Sequence, residues 1–500
     1  MADPQARSPP PPQGDQPGQA IGAAVSDPTS GADVPAQRAG RRYRQQLART
    51  LRVSGNLAIT LSLVGPAASV FAIGSVALGQ QGSGAFLAFL LAALISACLA
   101  VGWAELGALY PTAGGLYAIV ARVLGRRAGV LALVLQLAVF VIAPSAFALA
   151  AGEFLAALWP AVSPQAAALV LLAATTALAV AGIRFNAAVT AAFLTLELAA
   201  ILVVSLLGFA HADWSAAGTL WDPQVYAADG SAAPTSLRTL LAGVVLGLGA
   251  YAGYGGAVVF SEETRGPRRG IARAMLGVLG VAVVVELLAI TAALLGAPSQ
   301  AALTTAPVPM SYLVRSLGGD RLVTVITLVL VATIFNVLLA GLLDFARILF
   351  SSGRDRIWPG PLSRALGRVN PTTRAPMVAT VTVGGAALAL TAVSDYAAAV
   401  TFASLTVVAT FALIALSALV SRVLQPGLDR PYRMPLWPLP PLVALAGVAA
   451  TVLLQTGRDL LIVAGILAAG ALYDAVYLRR RRDTHWILLD PPVGEPDVGD

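Results

Sequence analysis

The sequence predicts an all-α polytopic membrane protein with about 12 transmembrane helices, and three observations predict it. Of its 500 residues, 57% are hydrophobic and only 11% are charged, whereas a soluble domain has about a quarter of its residues charged. Mean hydropathy is +0.79. Apolar runs of about 20 residues, long enough to cross the hydrocarbon, recur between short loops. All but four of the 32 Lys and Arg residues, every one of them an arginine, fall on alternate loops or at their membrane edge. That asymmetry is the one that orients spans in a bilayer.

The runs lie near 57–78, 85–109, 128–157, 165–182, 187–209, 239–260, 273–297, 322–350, 376–394, 396–420, 437–456 and 459–478. Each is read as a helix because a backbone in lipid must satisfy its own N–H and C=O groups. The third and eighth are long enough to be tilted or extended. Residues 1–50 form a cytoplasmic N-terminal tail, disordered on the composition of 1–37, which is rich in Pro, Gln, Gly and Ser and includes Pro9–Pro12. No charged stretch followed by a short apolar core opens it, so the first span is expected to direct insertion itself. Residues 51–480 make the transmembrane domain. Residues 481–500, Pro-rich and mildly acidic, make a short cytoplasmic tail, also read as disordered.

Only Arg238, Arg315, Arg321 and Arg458 lie on the sparse side of the membrane. The opposite side is therefore cytoplasmic, both termini face it, and the span number is even. The net charge of +7 follows from this asymmetry and requires no nucleic-acid partner. Basic loops do favour anionic membrane lipid. Heavy use of alanine and arginine without lysine points to a GC-rich bacterial gene, and so to the plasma (inner) membrane of a bacterium. Cys98 is the single cysteine and cannot form an internal disulfide.

Two of the runs are broken near their centres. The first break reads Gly65-Pro66-Ala67-Ala68-Ser69, the second Gly253-Tyr254-Gly255-Gly256. Pro66 has no N–H to give the carbonyl four residues earlier, and the glycines make unwinding cheap. Open backbone at membrane depth is tolerated only where protein covers it or it lines a cavity. Membrane helices carry more Gly and Pro than soluble ones, which explains a single break. A matched pair in two halves of a chain is instead the best pointer to a transporter's substrate site.

Four stretches then resemble one family. Trp103-Ala104-Glu105-Leu106-Gly107-Ala108-Leu109-Tyr110-Pro111-Thr112-Ala113-Gly114-Gly115 is similar to the second-span signature of the amino acid–polyamine–organocation (APC) superfamily. Gly253-Tyr254 with Ser261-Glu262-Glu263-Thr264 resembles its sixth span and the loop after it. Phe345-Ala346-Arg347 with Gly353-Arg354-Asp355 resembles its eighth-span exit, and Thr373-Arg374-Ala375-Pro376 the approach to its ninth. They occur in the family's order between about residues 50 and 480. The resemblance implies a five-plus-five inverted repeat with broken helices 1 and 6, plus two C-terminal helices. It also implies alternating access, with substrate held at Gly65, Pro66, Ala67, Ala68 and Ser69 and at Tyr251, Gly253, Tyr254, Gly255 and Gly256. Asn336 and Phe402 are added as polar and aromatic candidates on spans 8 and 10. Half-helix N-termini, with free N–H groups and partial positive charge, suit a substrate carboxylate. Tyr254 takes the family's gating position.

Two departures matter. Ala67-Ala68-Ser69 replaces a Gly-Ser-Gly pattern, and Gly255 stands where many members have an acid. Its absence disfavours arginine, lysine or polyamines and favours a neutral amino acid or related amine.

Glu197 is a lone carboxyl midway along span 5, where several members carry a lysine that stands in for sodium. An acid at that depth costs about 2.5–3.5 kcal/mol on insertion, so it should face a cavity or a partner. It is the proton-coupling candidate, with a protonated packing residue as the alternative. Glu105, Glu262 and Glu263 are candidates for a cytoplasmic gate. Glu286 is expected to pair with a neighbouring helix, and Asp344 with Arg347 one turn away. His211 and His485 lack metal-ligand company, so neither a metal nor a cofactor is expected. No nucleotide loop and no catalytic set is visible, which excludes ATP as this chain's own energy source and makes an enzyme the weakest reading. The expectation is a secondary active, proton-coupled permease for a neutral amino acid or related amine. An exchanger and a non-transporting solute sensor are the alternatives.

Overall fold

The computed structural model describes residues 47–488, apart from 48, 182, 228, 267, 454 and 456. The expected disordered tails, save residues 47–50 and 481–488, lie outside the described residues. What is described is almost entirely helical. The first broken span comprises α1 (Val53–Val64), α2 (Pro66–Ser69), a π-helical turn (Val70–Gly74) and α3 (Ser75–Gln81). Then follow α4 (Gly84–Leu109), a short α5 (Gly115–Val123), α6 (Arg126–Leu158), α7 (Pro164–Ala179) and α8 (Ile183–Ala210). The second broken span comprises α9 (Leu237–Ala250) and α10 (Gly256–Val259), and α11 (Arg268–Gly296) comes next. A short α12 (Gln300–Thr305) leads to α13 (Pro309–Arg354), and α14 (Gly360–Leu366) to α15 (Met377–Thr391). The chain finishes with α16 (Tyr396–Leu424), α17 (Leu439–Leu453) and α18 (Gly457–Tyr473).

Among the described residues, 8 helices are long and apolar enough to cross a membrane. Four shorter apolar helices, α7, α9, α15 and α17, occupy the places expected for spans 4, 6, 9 and 11. The bundle therefore reads as a polytopic membrane protein. Side chains such as Leu94, Val170 and Leu461 stay exposed on its outside, where lipid replaces water as solvent. Helix starts are fixed locally: Ser163, Ser236, Ser299 and Asp395 each accept a hydrogen bond from a first-turn N–H, satisfying donors that the helix itself leaves free.

Several elements are additional to the sequence reading. The long connection after α8 contains an antiparallel hairpin, Gln224–Tyr226 with Ala232–Pro234. Helices α5 and α14 fall in stretches read as loops. Helix α13 is continued N-terminally through a kink at Gly319. The C-terminal tail is docked where it is described. The Trp486 and Ile487 N–H groups donate to the Arg356 and Asp355 carbonyls at 3.1 and 2.9 Å, and the buried Trp486 ring packs edge-on to Tyr117. At the centre, α1 packs against α8, α11 and α13, while α6 packs against α16.

Candidate functional site

The first break is made by Gly65 in the left-handed region, φ 59° and ψ 67°. Its N–H still caps α1 on Leu61 O at 2.9 Å. Pro66 then starts α2 without a donor, so Ala67 offers the first free N–H of the new helix. That N–H donates to Glu197 Oε1 at 2.9 Å. A carboxylate at a helix N-terminus meets both the open donor and the positive end of the dipole. Glu197 thus caps the half-helix from α8. It is fully buried, and its other oxygen has no hydrogen-bond partner.

The second break turns at Gly253, φ 116°. A Cβ there would sit 3.0 Å from Val64 N and 3.2 Å from Leu63 C. Glycine is needed both for the dihedral and for this approach. The two breaks therefore touch, backbone against backbone.

Against them lies a partly open cavity of about 160 Å³. Leu63, Val64, Gly253, Gly255 and Gly256 form its broken-helix side, and α4, α6, α13 and α16 complete it. Three of the expected site residues, Gly253, Gly255 and Gly256, line it directly. Tyr254 lies behind the wall, its ring 5.6 Å from that of Trp103 and 6.2 Å from that of Phe411; both of those do line it. Tyr251 is turned away and donates its hydroxyl to Phe89 O at 3.3 Å. Gly65, Pro66, Ala67, Ala68 and Ser69 are off the cavity, Ser69 donating to Ala250 O at 3.2 Å. Asn336 and Phe402 are off it too, although Val337, Leu338, Ala403 and Ser404 beside them line it. Both amide atoms of buried Asn336 lack partners. One residue along a helix turns a side chain by about 100°, which is the size of these misses.

The lining brings in residues that sequence reasoning did not place at the site: Trp103, Gln136, Asp344, Thr410 and Phe411. Gln136 was detectable as the one amide in an apolar run. Asp344 was assigned to Arg347, and the structure corrects that. The Arg347 guanidinium grips both oxygens of Glu263 through Nε and Nη2, while Nη1 donates to Leu343 O at 2.6 Å. Glu286 is fully buried and lies beside Ser69 of the first broken span, the neighbouring element expected for it, without a hydrogen bond of ordinary geometry to either oxygen.

The three expected gate acids gather at the arginine-rich end of the bundle. Glu262 takes two 3.0 Å hydrogen bonds from Arg354 and one of 2.8 Å from Ala113 N–H. The Glu263 backbone carbonyl accepts from Thr50 and Leu51 N–H at 3.0 and 2.9 Å, tying the chain before α1 to the end of the second break. Glu105 holds Arg422, Arg430 and the Met434 N–H, fastening α4 to the segment after α16. Buried charges of this kind are tolerated because every one is paired.

The comparisons with known proteins agree with this architecture. A family model described as "Amino acid permease" matches residues 53–470. An uncharacterized transporter of Mycobacterium tuberculosis is 30% identical over 454 residues, covering 89% of this chain and 95% of that protein. A methylthioribose transporter of Bacillus subtilis is 25% identical, covering 81% and 87%. A branched-chain amino acid permease of Lactococcus lactis is 25% identical, covering 76% and 84%.

Proposed function

The chain belongs to the amino acid permease family and is an integral membrane transporter, not an enzyme; from that premise we propose that it is a secondary active, proton-coupled permease for a neutral amino acid or related amine. It works by alternating access around the cavity beside the two breaks. On this reading the chain has 12 spans, ten of them in a five-plus-five inverted repeat, with both termini in the cytosol of a bacterium; 8 long apolar helices and four shorter ones among the described residues support it. The arginine-rich end is then cytoplasmic, and the ion pairs Glu262–Arg354 and Glu263–Arg347 form its closed gate.

The observation that carries the coupling is the Glu197 cap on Ala67. As a carboxylate, Glu197 holds the half-helix by charge and by hydrogen bond. Protonation removes its attraction for the helix dipole and leaves a weaker acceptor. The contact between α8 and α2 then loosens, and the broken span can tilt. Proton binding and gate opening are thereby linked by one bond.

The test uses purified protein in proteoliposomes, with radiolabelled amino acids and amines and an imposed inward pH gradient. Accumulation above equilibrium with the gradient, and none without it, is the expected result. Accumulation only in vesicles preloaded with solute replaces symport by exchange. Solute binding with no uptake in either condition leaves a sensor.

A further inference from the structure

The chain after α18 is built into the arginine-rich end of the bundle. The Tyr473 hydroxyl donates to the Ile357 carbonyl at 2.8 Å. Further on, the Trp486 and Ile487 N–H groups donate to the Arg356 and Asp355 carbonyls at 3.1 and 2.9 Å. The Trp486 ring is buried against Tyr117 on α5 and Gly129 on α6. A Cβ on Gly129 would come within 2.9 Å of its Cζ2, so the glycine makes room for the ring. The residue just before these two acceptors is Arg354, whose guanidinium grips Glu262.

Tyr117 joins this seat to the ion pair. Its hydroxyl is in hydrogen-bond contact with Ser351 Oγ at 3.0 Å and Asp355 Oδ2 at 2.8 Å. Ser351 Oγ in turn accepts from Arg354 Nη2 at 3.2 Å. Ahead of α5, the Ala113 N–H donates to Glu262 Oε1 at 2.8 Å. Two partners of Glu262, one at the end of α13 and one before α5, are thereby fastened to each other through Tyr117, and the Trp486 ring packs on that fastening. The seat also carries costs. Arg356 and Trp486 hold φ of 57° and 53°, a left-handed conformation that is unfavourable for residues with a side chain. The buried indole N–H has no hydrogen-bond partner, which is a further penalty.

We propose that the C-terminal tail is a positioning brace of the cytoplasmic gate. With Trp486 seated, the Arg354 segment and the approach to α5 are held around Glu262, and the conformation closed to the cytoplasm is favoured. With the tail released, the balance shifts towards the conformation open to it. This rests on the alternating-access reading above, which assigns the gate. Opening separates Glu262 from Arg354 and Ala113. A brace that fits only the closed arrangement lowers the free energy of that conformation alone, and such a differential contact sets the ratio of the two. The strained backbone and the unpaired indole keep the seat weak enough for the tail to leave it while the bundle stays folded.

The experiment places one cysteine on the cavity wall, Thr410→Cys in a Cys98→Ser protein. Its reaction with a membrane-impermeant thiol reagent is timed in vesicles of either orientation. Trp486→Ala should raise the rate from the cytoplasmic face about threefold or more and lower the rate from the other face, because a shifted two-state balance moves the two in opposite directions. Trp486→Phe keeps a ring in the seat and should stay near the full chain. Tyr117→Phe loses one hydroxyl and should move the rates as Trp486→Ala does, which keeps the test decisive where the alanine variant does not fold. Rates unchanged from both faces in a folded variant overturn the proposal. A rise from both faces alike overturns it too, since that reports general loosening of the bundle. Uptake by the wild-type protein decides the permease reading separately. Unchanged labelling with intact uptake removes the brace and keeps the permease. Labelling that shifts between the faces as expected, in a protein that takes up none of the tested solutes, supports the brace while the permease reading fails alone.

Discussion

Single residues decide the electrostatics of this protein, and each sits where the membrane makes a charge expensive. Arg347 and Glu263 are 84 positions apart in sequence and almost wholly buried together. Removing one leaves the other unpaired, so Arg347→Met should destabilise the protein by about 3–5 kcal/mol. Thermal unfolding in detergent measures it. A second change, Glu263→Gln, should recover part of the loss, and an undiminished midpoint in the single variant would show that the pair is worth little. Glu197 was legible because a lone acid amid Leu196 and Leu198 has to be explained. Its partner was not, because the Ala67 N–H is an ordinary backbone group until Gly65 and Pro66 break the helix. The pairing of Asp344 with Arg347 was misjudged for a related reason. Three-residue spacing puts two side chains on one face, but it cannot weigh a better-placed carboxylate arriving from another helix.

At the scale of elements, the breaks were readable from Gly and Pro, and their contact with one another was not. Gly65→Ala should cost about 1–3 kcal/mol for its left-handed dihedral. Overlap adds to this, since the new Cβ would lie 2.1 Å from Val337 Cγ2. The combination with Val337→Ala should relieve the overlap and leave the dihedral cost. Unfolding midpoints of the two variants separate these parts, and equal midpoints would remove the overlap from the account. Helical phase is lost inside a broken segment, which is why Gly253 and Gly256 were placed on the cavity while Tyr254 falls behind its wall. Short helices such as α5 and the docked tail were missed because they are too short to cross a membrane and are held by tertiary contacts. Trp486 shows the strength of such contacts. It is buried at 3% exposure, and Trp486→Ala should lower stability by about 3–5 kcal/mol. An unchanged unfolding midpoint would mean that the tail is not part of the folded unit.

Over the whole molecule, composition and arginine placement were enough to identify a polytopic membrane protein, because bilayer solvation leaves so few alternatives. The cavity's chemistry was harder to read, since it is assembled from α1, α4, α6, α13 and α16 with the second break, and no local pattern joins them. In the transport cycle proposed above, the paired arginine-rich end and the capped half-helix belong to one conformation, and Glu197 changes protonation between this one and the next. Glu197→Gln keeps a hydrogen-bond acceptor but fixes the neutral form. Uptake in proteoliposomes, with and without an imposed pH gradient, compares it with wild type most directly. The account predicts that the variant still binds and exchanges solute, no longer accumulates it, and loses most of its pH dependence. Proton-driven accumulation equal to wild type in Glu197→Gln would contradict it and move the coupling elsewhere.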